Sequence, residues 1–230
     1  MTVQRTGQIA QFDVKPPQPL EAASNWDTPH WDSMPPLEID NFMGERPKHF
    51  PRALARLGWD DDAIYAIFSV DDRYVRAVSK NHQESVCCDS CVELFFTPGI
   101  DVSKGYFNLE INCGGTMLFH FQTIPRKDGV ALTEEELSRV VFNRTLPKVV
   151  DPEIKEPLTW SIEYRVPYEI LQPYLEFDVP NVGTQWRANL YKCGDHTSHP
   201  HWLTWSPVDR PTPDFHVPES FGILTFAEAC

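Results

Sequence analysis

Several features that define whole classes of protein are missing or scarce in this chain of 230 residues. No apolar run approaches the roughly 20 residues that a membrane-spanning helix needs. Positive charge is scarce, because 20 Lys and Arg stand against 33 Asp and Glu and give a formal net charge of −13. Nucleic acids and anionic membranes attract basic surfaces, so the sequence predicts neither as a partner.

Signals for export are also missing. The stretch from Met1 to Ala10 has no apolar core of the kind that a signal peptide requires. We therefore expect a cytoplasmic protein, unless the chain is part of a longer one. Without export, free thiols are expected rather than disulfides. The six cysteines concerned are Cys87, Cys88, Cys91, Cys113, Cys193 and Cys230.

Two further absences favour a binding protein over an enzyme. The chain contains no Gly-x-Ser-x-Gly nucleophile elbow and no glycine loop of the phosphate-binding type.

Helical bundles are disfavoured as well, because 21 prolines are spread along the chain and proline breaks helix interiors. The prolines lie between apolar segments, as expected for strands joined by irregular loops.

What the sequence has in abundance is alternation with a period of two, which is typical of β-strands. In Tyr106 to Asn112 the apolar side chains fall on one side and the polar ones on the other. Further strands are predicted at 51–57, 63–70, 91–96, 116–124, 160–166, 186–192, 202–208 and 222–226. A capping-box pattern at Thr133 to Glu136 predicts a short helix. We expect an all-β sandwich of jelly-roll type, with antiparallel strands and one or two short helices. An irregular lead-in over 1–24 and one domain over 25–230 complete this organisation.

Three of the predicted strands carry planar polar groups on the side away from the apolar residues. Such groups have fixed donors and acceptors and suit a neutral sugar, while flat rings stack on its C–H faces. If the strands are neighbours, these side chains form one binding patch, and Trp202 and Trp205 are the candidate stacking platforms. The patch consists of Glu93, Asn108, Glu110, Asn112, Arg187 and Asn189.

Two other readings stay open at this point. Glu93 and Glu110 could serve as the acid and base of a glycan-processing enzyme. A metal-binding or haem-binding protein of the same fold is the second alternative. Its candidate ligands are three histidines and one cysteine within nine residues, to which the cysteines of 87–91 could add thiolates, although the spacings match no familiar zinc pattern. The histidines are His196, His199 and His201, and the cysteine is Cys193.

The order of the segments resembles carbohydrate-binding module family 9. The resemblance runs from about Trp26 to Phe226. The segments that carry it are 63–72, 89–96, 106–115, 159–167, 185–193 and 221–226. The resemblance implies a β-sandwich that binds glucose-type sugars, often at a chain end, between two Trp rings. Domains of this family are often appended to polysaccharide-degrading enzymes, and calcium commonly has a structural role.

Carried over by position, the resemblance makes Glu93 and Asn189 ligand residues and Trp205 one clamp Trp. Asn108, Glu110 and Asn112 fall on the second ligand strand. The chain departs from the family where the other clamp Trp is expected, since it has Cys87 and Cys88 there. Trp59 and Trp202 are the alternatives for that ring. Relatives that bind haem use Met and His, but Met117 and His120 are three residues apart and face opposite sides of a strand.

Overall fold

A computed structural model describes residues 4–11, 26–32 and 34–228. Within these residues the chain is almost entirely β-structure, with two helices of a single turn each. The helices are α1 (Pro29–Asp32) and α2 (Glu134–Leu137). The strands are β1 (Thr6–Gln11), β2 (Leu37–Ile39), β3 (Asn41–Phe42), β4 (Arg52–Trp59), β5 (Ala63–Asp72), β6 (Val75–Ala77), β7 (Cys91–Thr97), β8 (Tyr106–Asn112), β9 (Met117–Gln122), β10 (Val130–Ala131), β11 (Val141–Arg144), β12 (Val150–Ile154), β13 (Leu158–Pro167), β14 (Gln185–Cys193), β15 (Trp202–Thr204) and β16 (Gly222–Ala227).

The strands form two layers that face each other. One layer has the order β10-β9-β8-β7-β14-β16, and the other has the order β4-β5-β13-β11. Strand β1 joins them, because it pairs in parallel with both β16 and β4. Contacts between the layers include Lys192 on β14, whose Nζ lies 3.3 Å from the carboxylate of Asp72 on β5. The prediction of an antiparallel β-sandwich with short helices is confirmed.

The main core fills the space between the two layers with aromatic and branched side chains. Phe96 stacks on Trp186 at 5.6 Å between ring centroids, and Trp186 meets the edge of Phe226 at 4.9 Å. Alternation along β7, β14 and β16 brings these rings to one side of the sheet. Trp59 lies in the same core with 3% of its surface exposed, and its ring donates to the carbonyl of Ala227. The sequence offered Trp59 as a clamp ring, and this burial corrects that expectation.

Some local predictions are confirmed and one is corrected. Thr133 caps α2 as predicted: its hydroxyl accepts from the amide of Glu136, whose carboxylate accepts from the amide of Thr133.

The predicted irregular lead-in does not hold for Thr6–Gln11, which forms a strand, and residues 12–24 lie outside the described part. The five described cysteines are free thiols, and Cys230 also lies outside it. No helix in the described ranges is long and apolar enough to cross a bilayer.

Gly222 provides a test of how tightly the core is packed. A Cβ at this position would lie 2.5 Å from the ring of Trp205 and 2.6 Å from the carbonyl oxygen of Arg5. We expect Gly222→Ala to lower the free energy of unfolding by about 1–3 kcal/mol, as overpacked cores do. Gly129→Ala is the matched control, because its Cβ would lie 3.6 Å from His120. Chemical denaturation of both variants measures the difference, and equal stabilities would contradict this packing.

Candidate functional site

The sheet register brings the predicted polar residues onto one face of the first layer. Glu93 on β7 lies directly opposite Glu110 on β8 and Tyr191 on β14. Since residues directly opposite share a face, the strands present a continuous outer face that is turned away from the main core. This outer face consists of Cys91, Glu93, Phe95 and Thr97 on β7, Tyr106, Asn108, Glu110 and Asn112 on β8, and Arg187, Asn189, Tyr191 and Cys193 on β14.

A cleft of about 120 Å³ opens on the outer face. Its floor is made by sheet residues, among them Glu93 and Glu110, and its walls are made by loops and by the first residue of β15. One wall contains Asp195 and Trp202, and another is the segment 213–216. The lining residues are Cys87, Glu93, Phe95, Glu110, Arg126, Cys193, Asp195, Trp202, Pro213, Asp214, Phe215 and His216.

Four of the six residues in the predicted polar patch do not line the cleft. Asn189 accepts hydrogen bonds from the amides of Leu190 and Ser206 and donates to the carbonyl of Ser206. Asn112 accepts from two amides of the following turn and donates to Asp89. Buried polar groups need partners. Asn189 finds them in the adjoining backbone, and Asn112 finds them in the backbone and in the carboxylate of Asp89.

Arg187 and Asn108 are likewise committed to partners within the protein. The guanidinium of Arg187 donates to the carbonyl of Phe221 at 2.6 Å. Asn108 donates to Glu110 Oε1 at 3.0 Å and accepts from Gln122 at 2.8 Å. Asn108 therefore orients the carboxyl of Glu110 in the cleft floor from two residues away on β8. Arg187 instead fixes the chain that leads into β16.

The two tryptophans proposed as stacking platforms lie on opposite sides of the sheet. Trp202 is half-buried on the cleft, and its indole nitrogen donates to Asp195 at 2.7 Å. Trp205 is only 2% exposed and packs in the main core against Gly7 and Gly222. Positions three apart on an extended segment face opposite ways, so Trp202 lines the cleft and Trp205 does not.

The carboxyls of Glu93 and Glu110 are buried side by side in the cleft floor, with 2% and 6% of each residue exposed. Burial raises the pKa of Glu93, and the neighbouring charge of Glu110 raises it further. Burial also raises the pKa of Glu110, although the hydrogen bond from Asn108 opposes the shift. Two carboxyls this close do not both ionise readily. The pair therefore holds a proton more readily than exposed carboxyls do, and a protonated carboxyl offers a donor beside several acceptors.

The rim of the cleft carries polar groups that the sequence did not single out. Arg126 donates to Asp214 at 2.9 Å, and the hydroxyl of Tyr106 donates to His216 at 2.8 Å. Burial lowers the pKa of His216 to about 4, so this ring is a neutral acceptor. Burial raises the pKa of Asp195. Apart from Tyr106, which lies on β8, these residues are in loops without periodicity, and no sequence signal identifies them.

The three histidines proposed as metal ligands are held apart by different partners. His196 lies 3.9 Å from the sulfur of Cys88, and His199 stacks on Tyr74 at 3.7 Å between ring centroids. His201 is buried, with Nε2 at 2.7 Å from Lys192 Nζ. The structure thus contradicts a shared site for these histidines. Met117 is buried in the main core and His120 is on the other side of β9, so they are not a haem ligand pair.

Among the described residues, one group of three side chains brings potential metal-ligand atoms together. It consists of Cys91, Glu93 and Cys193, whose ligand atoms all lie within 4.8 Å of one another. Calcium takes six to eight oxygen ligands. Two of these three groups are thiols, so the group does not suit the structural calcium that the resemblance implied.

Comparisons with known proteins agree with this architecture. The model of carbohydrate-binding family 9 matches residues 25–226. A proposed carbohydrate-binding protein from Bacteroides uniformis ATCC 8492 is similar in structure, with a TM-score of 0.82, 24% identity and coverage of 97% of this chain and 100% of that chain. A family 9 module from Caldicellulosiruptor kristjanssonii, solved with glucose, has a TM-score of 0.63 and 12% identity, and the match covers 97% of this chain and 96% of that chain. A family 9 module from the same organism, solved with cellotriose, has a TM-score of 0.64 and 12% identity, and the match covers 97% of this chain and 94% of that chain. No curated protein matches the chain.

Proposed function

The chain belongs to carbohydrate-binding family 9, and we propose that it binds a neutral sugar, or the end of a sugar chain, in the cleft above Glu93 and Glu110. The observation that carries this proposal is the cleft itself, where two buried carboxyls lie beside a half-buried tryptophan on the outer face. Solved family 9 structures with glucose and cellotriose make a glucose-type ligand the first choice.

The chemistry of the floor suits hydroxyl groups. Each sugar hydroxyl both donates and accepts, so it needs complementary groups within reach. The partly protonated pair Glu93 and Glu110 provides a donor and several acceptors, and Asp195 adds a carboxyl at one wall. Asn108 and Gln122 hold the floor in place through hydrogen bonds of 2.8–3.0 Å. A pre-organised floor of this kind loses little freedom when a ligand binds.

The apolar part of the cleft suits the C–H faces of a pyranose. Trp202 presents an aromatic ring whose nitrogen is anchored on Asp195. Phe215 is fixed by stacking on Tyr191 at 4.1 Å between centroids. With a volume of about 120 Å³, the cleft is smaller than the roughly 300–1,000 Å³ of typical small-molecule sites. We infer that one sugar ring enters and that further residues of a chain remain outside.

Binding rather than hydrolysis is the function that the carboxyl pair favours. The acid and base of a glycoside hydrolase flank the scissile bond from two sides. Glu93 and Glu110 are directly opposite on adjacent strands, so both lie on one floor with their Cβ atoms about 4.5–5.5 Å apart. A sugar above them meets both carboxyls from the same side.

Trp202→Ala is expected to weaken sugar binding by about 1–3 kcal/mol, the range for an aromatic contact at a binding hot spot. Isothermal titration with glucose and cellotriose measures the change in Kd. Trp26→Ala is the matched control: Trp26 is also a half-buried tryptophan, but it packs with Trp31 against the outer side of the second layer. Unchanged affinity in Trp202→Ala, or an equal loss in Trp26→Ala, would place the sugar outside the cleft.

A further inference from the structure

We propose that Cys91, Cys193 and Glu93 form a binding site for a thiophilic divalent cation of the zinc class at the floor of the cleft. The three side chains are buried, and their ligand atoms lie within 4.8 Å of one another. Cys91 and Cys193 are directly opposite on β7 and β14. Cys193 Sγ lies 3.1 Å from Glu93 Oε1. Two strands of the sheet therefore fix all three positions.

The donor set selects the kind of ion. Thiolates are soft ligands that bind Zn²⁺ together with carboxylate oxygen, usually in tetrahedral geometry. Calcium and magnesium prefer oxygen ligands alone and are disfavoured by two sulfurs. Coordination at about 2.0–2.3 Å from each ligand requires only a small movement of side chains that already lie within 4.8 Å of one another.

Three protein ligands leave one coordination position, as in zinc sites that accept water or a ligand. Cys193 and Glu93 line the cleft, so this position faces the space that we assign to the sugar. Cys87 lines the same cleft, and its carbonyl lies 3.7 Å from Cys193 Sγ. If the proposed sugar site is correct, the cation and the sugar compete for Glu93.

The test uses the full chain, reduced and freed of metal by chelation. Co²⁺ titrated into this protein should give thiolate-to-cobalt charge-transfer absorption with about one ion bound per chain, and added Zn²⁺ should remove it. Cys193→Ser should weaken binding by about 100-fold or more, since losing even an outer-shell partner costs 10–100-fold. Cys113→Ser is the matched control, because Cys113 is buried in the main core and lies outside the cluster. We expect it to bind like the wild type.

Several outcomes would overturn the proposal. These are absence of thiolate absorption, equal binding by wild type and Cys193→Ser, or mass spectrometry showing a Cys91–Cys193 disulfide that persists in reductant. If Cys193→Ser does not fold, Glu93→Gln replaces it, with the same expected direction and the same control. Cobalt binding is measured without sugar, and sugar binding is measured with chelator present. Failure of either proposal is therefore visible on its own.

Discussion

Replacing Lys192 by Met is expected to lower the free energy of unfolding by about 3–5 kcal/mol, because it leaves a buried charge without its partner. Both Lys192 and Asp72 have fully buried side chains, and Nζ lies 3.3 Å from the carboxylate. The same ammonium group donates to the carbonyl of Cys193 at 2.9 Å. This pair ties β14, which carries part of the outer face, to the opposite layer.

The surroundings of Asp72 explain why its charge persists in the interior. Burial alone would raise the pKa of Asp72, but the charge of Lys192 and the hydrogen bond from His49 outweigh it and hold the pKa below its usual range. The indole of Trp160 adds a hydrogen bond at 3.1 Å. Burial and Lys192 lower the pKa of His201 to about 3, so this ring stays neutral and accepts from Lys192.

A double-mutant cycle tests this pair by chemical denaturation. Lys192→Met and Asp72→Asn should each be strongly destabilising, while the double variant should lose less than their sum. The difference in unfolding free energy between the wild type and Lys192→Met should also become smaller as the pH is lowered. In the wild type, Asp72 contributes stability above its unfolded pKa of about 3.9, and this is lost as pH falls toward its depressed folded pKa. In Lys192→Met, protonation relieves the unpaired charge. The pairing would be contradicted if the losses of unfolding free energy in the two single variants were additive in the double variant. It would also be contradicted if the difference between wild type and Lys192→Met did not depend on pH.

Trp205→Ala should lower the free energy of unfolding by about 3–5 kcal/mol, through the cavity left by a large core side chain. The ring is 2% exposed and occupies the space between Gly7 and Gly222. Sugar affinity, measured at a temperature where the variant stays folded, should equal that of the wild type. The prediction separates a core tryptophan from one that contacts the ligand.

Trp202→Ala provides the reverse pattern, because its ring lies at the cleft rather than in the main core. Its unfolding free energy should change far less than that of Trp205→Ala, while its affinity falls. Thermal melting and titration of both variants give the two quantities side by side. A stable Trp205→Ala that has lost sugar binding would show that the assignment of the two faces is wrong.

The fold was predictable where local patterns agree with the final structure. The alternation over Tyr106–Asn112 predicted β8 with the correct first and last residues. The same pattern predicted the ends of β7 and β14 to within a residue or two. Strand β1 was missed because Thr6–Gln11 is short and mostly polar. It is held by parallel pairing with residues more than 200 positions later, and such pairing leaves no local signal.

The site was only partly predictable, and the reasons are physical. Alternation placed Glu93, Glu110 and Asn189 on one face. Periodicity alone could not show that Asn189 would meet backbone groups of Ser206 instead of the cleft. Cys91 and Cys193 lie close together because of the register between two strands about 100 residues apart. Turns and tertiary packing determine that register.

The most direct test of sugar binding in the cleft is the indole region of a ¹H–¹⁵N NMR spectrum recorded during titration with glucose or cellotriose. The chain has seven tryptophans, and Trp202→Phe identifies the resonance of Trp202. Among the tryptophans that the structure describes, Trp202 alone lines the cleft. We expect its indole N–H signal, which reports the bond to Asp195, to shift and saturate while the others stay in place. Saturable binding that moves another indole and leaves Trp202 unchanged, or no shift with either sugar, would contradict the proposed site.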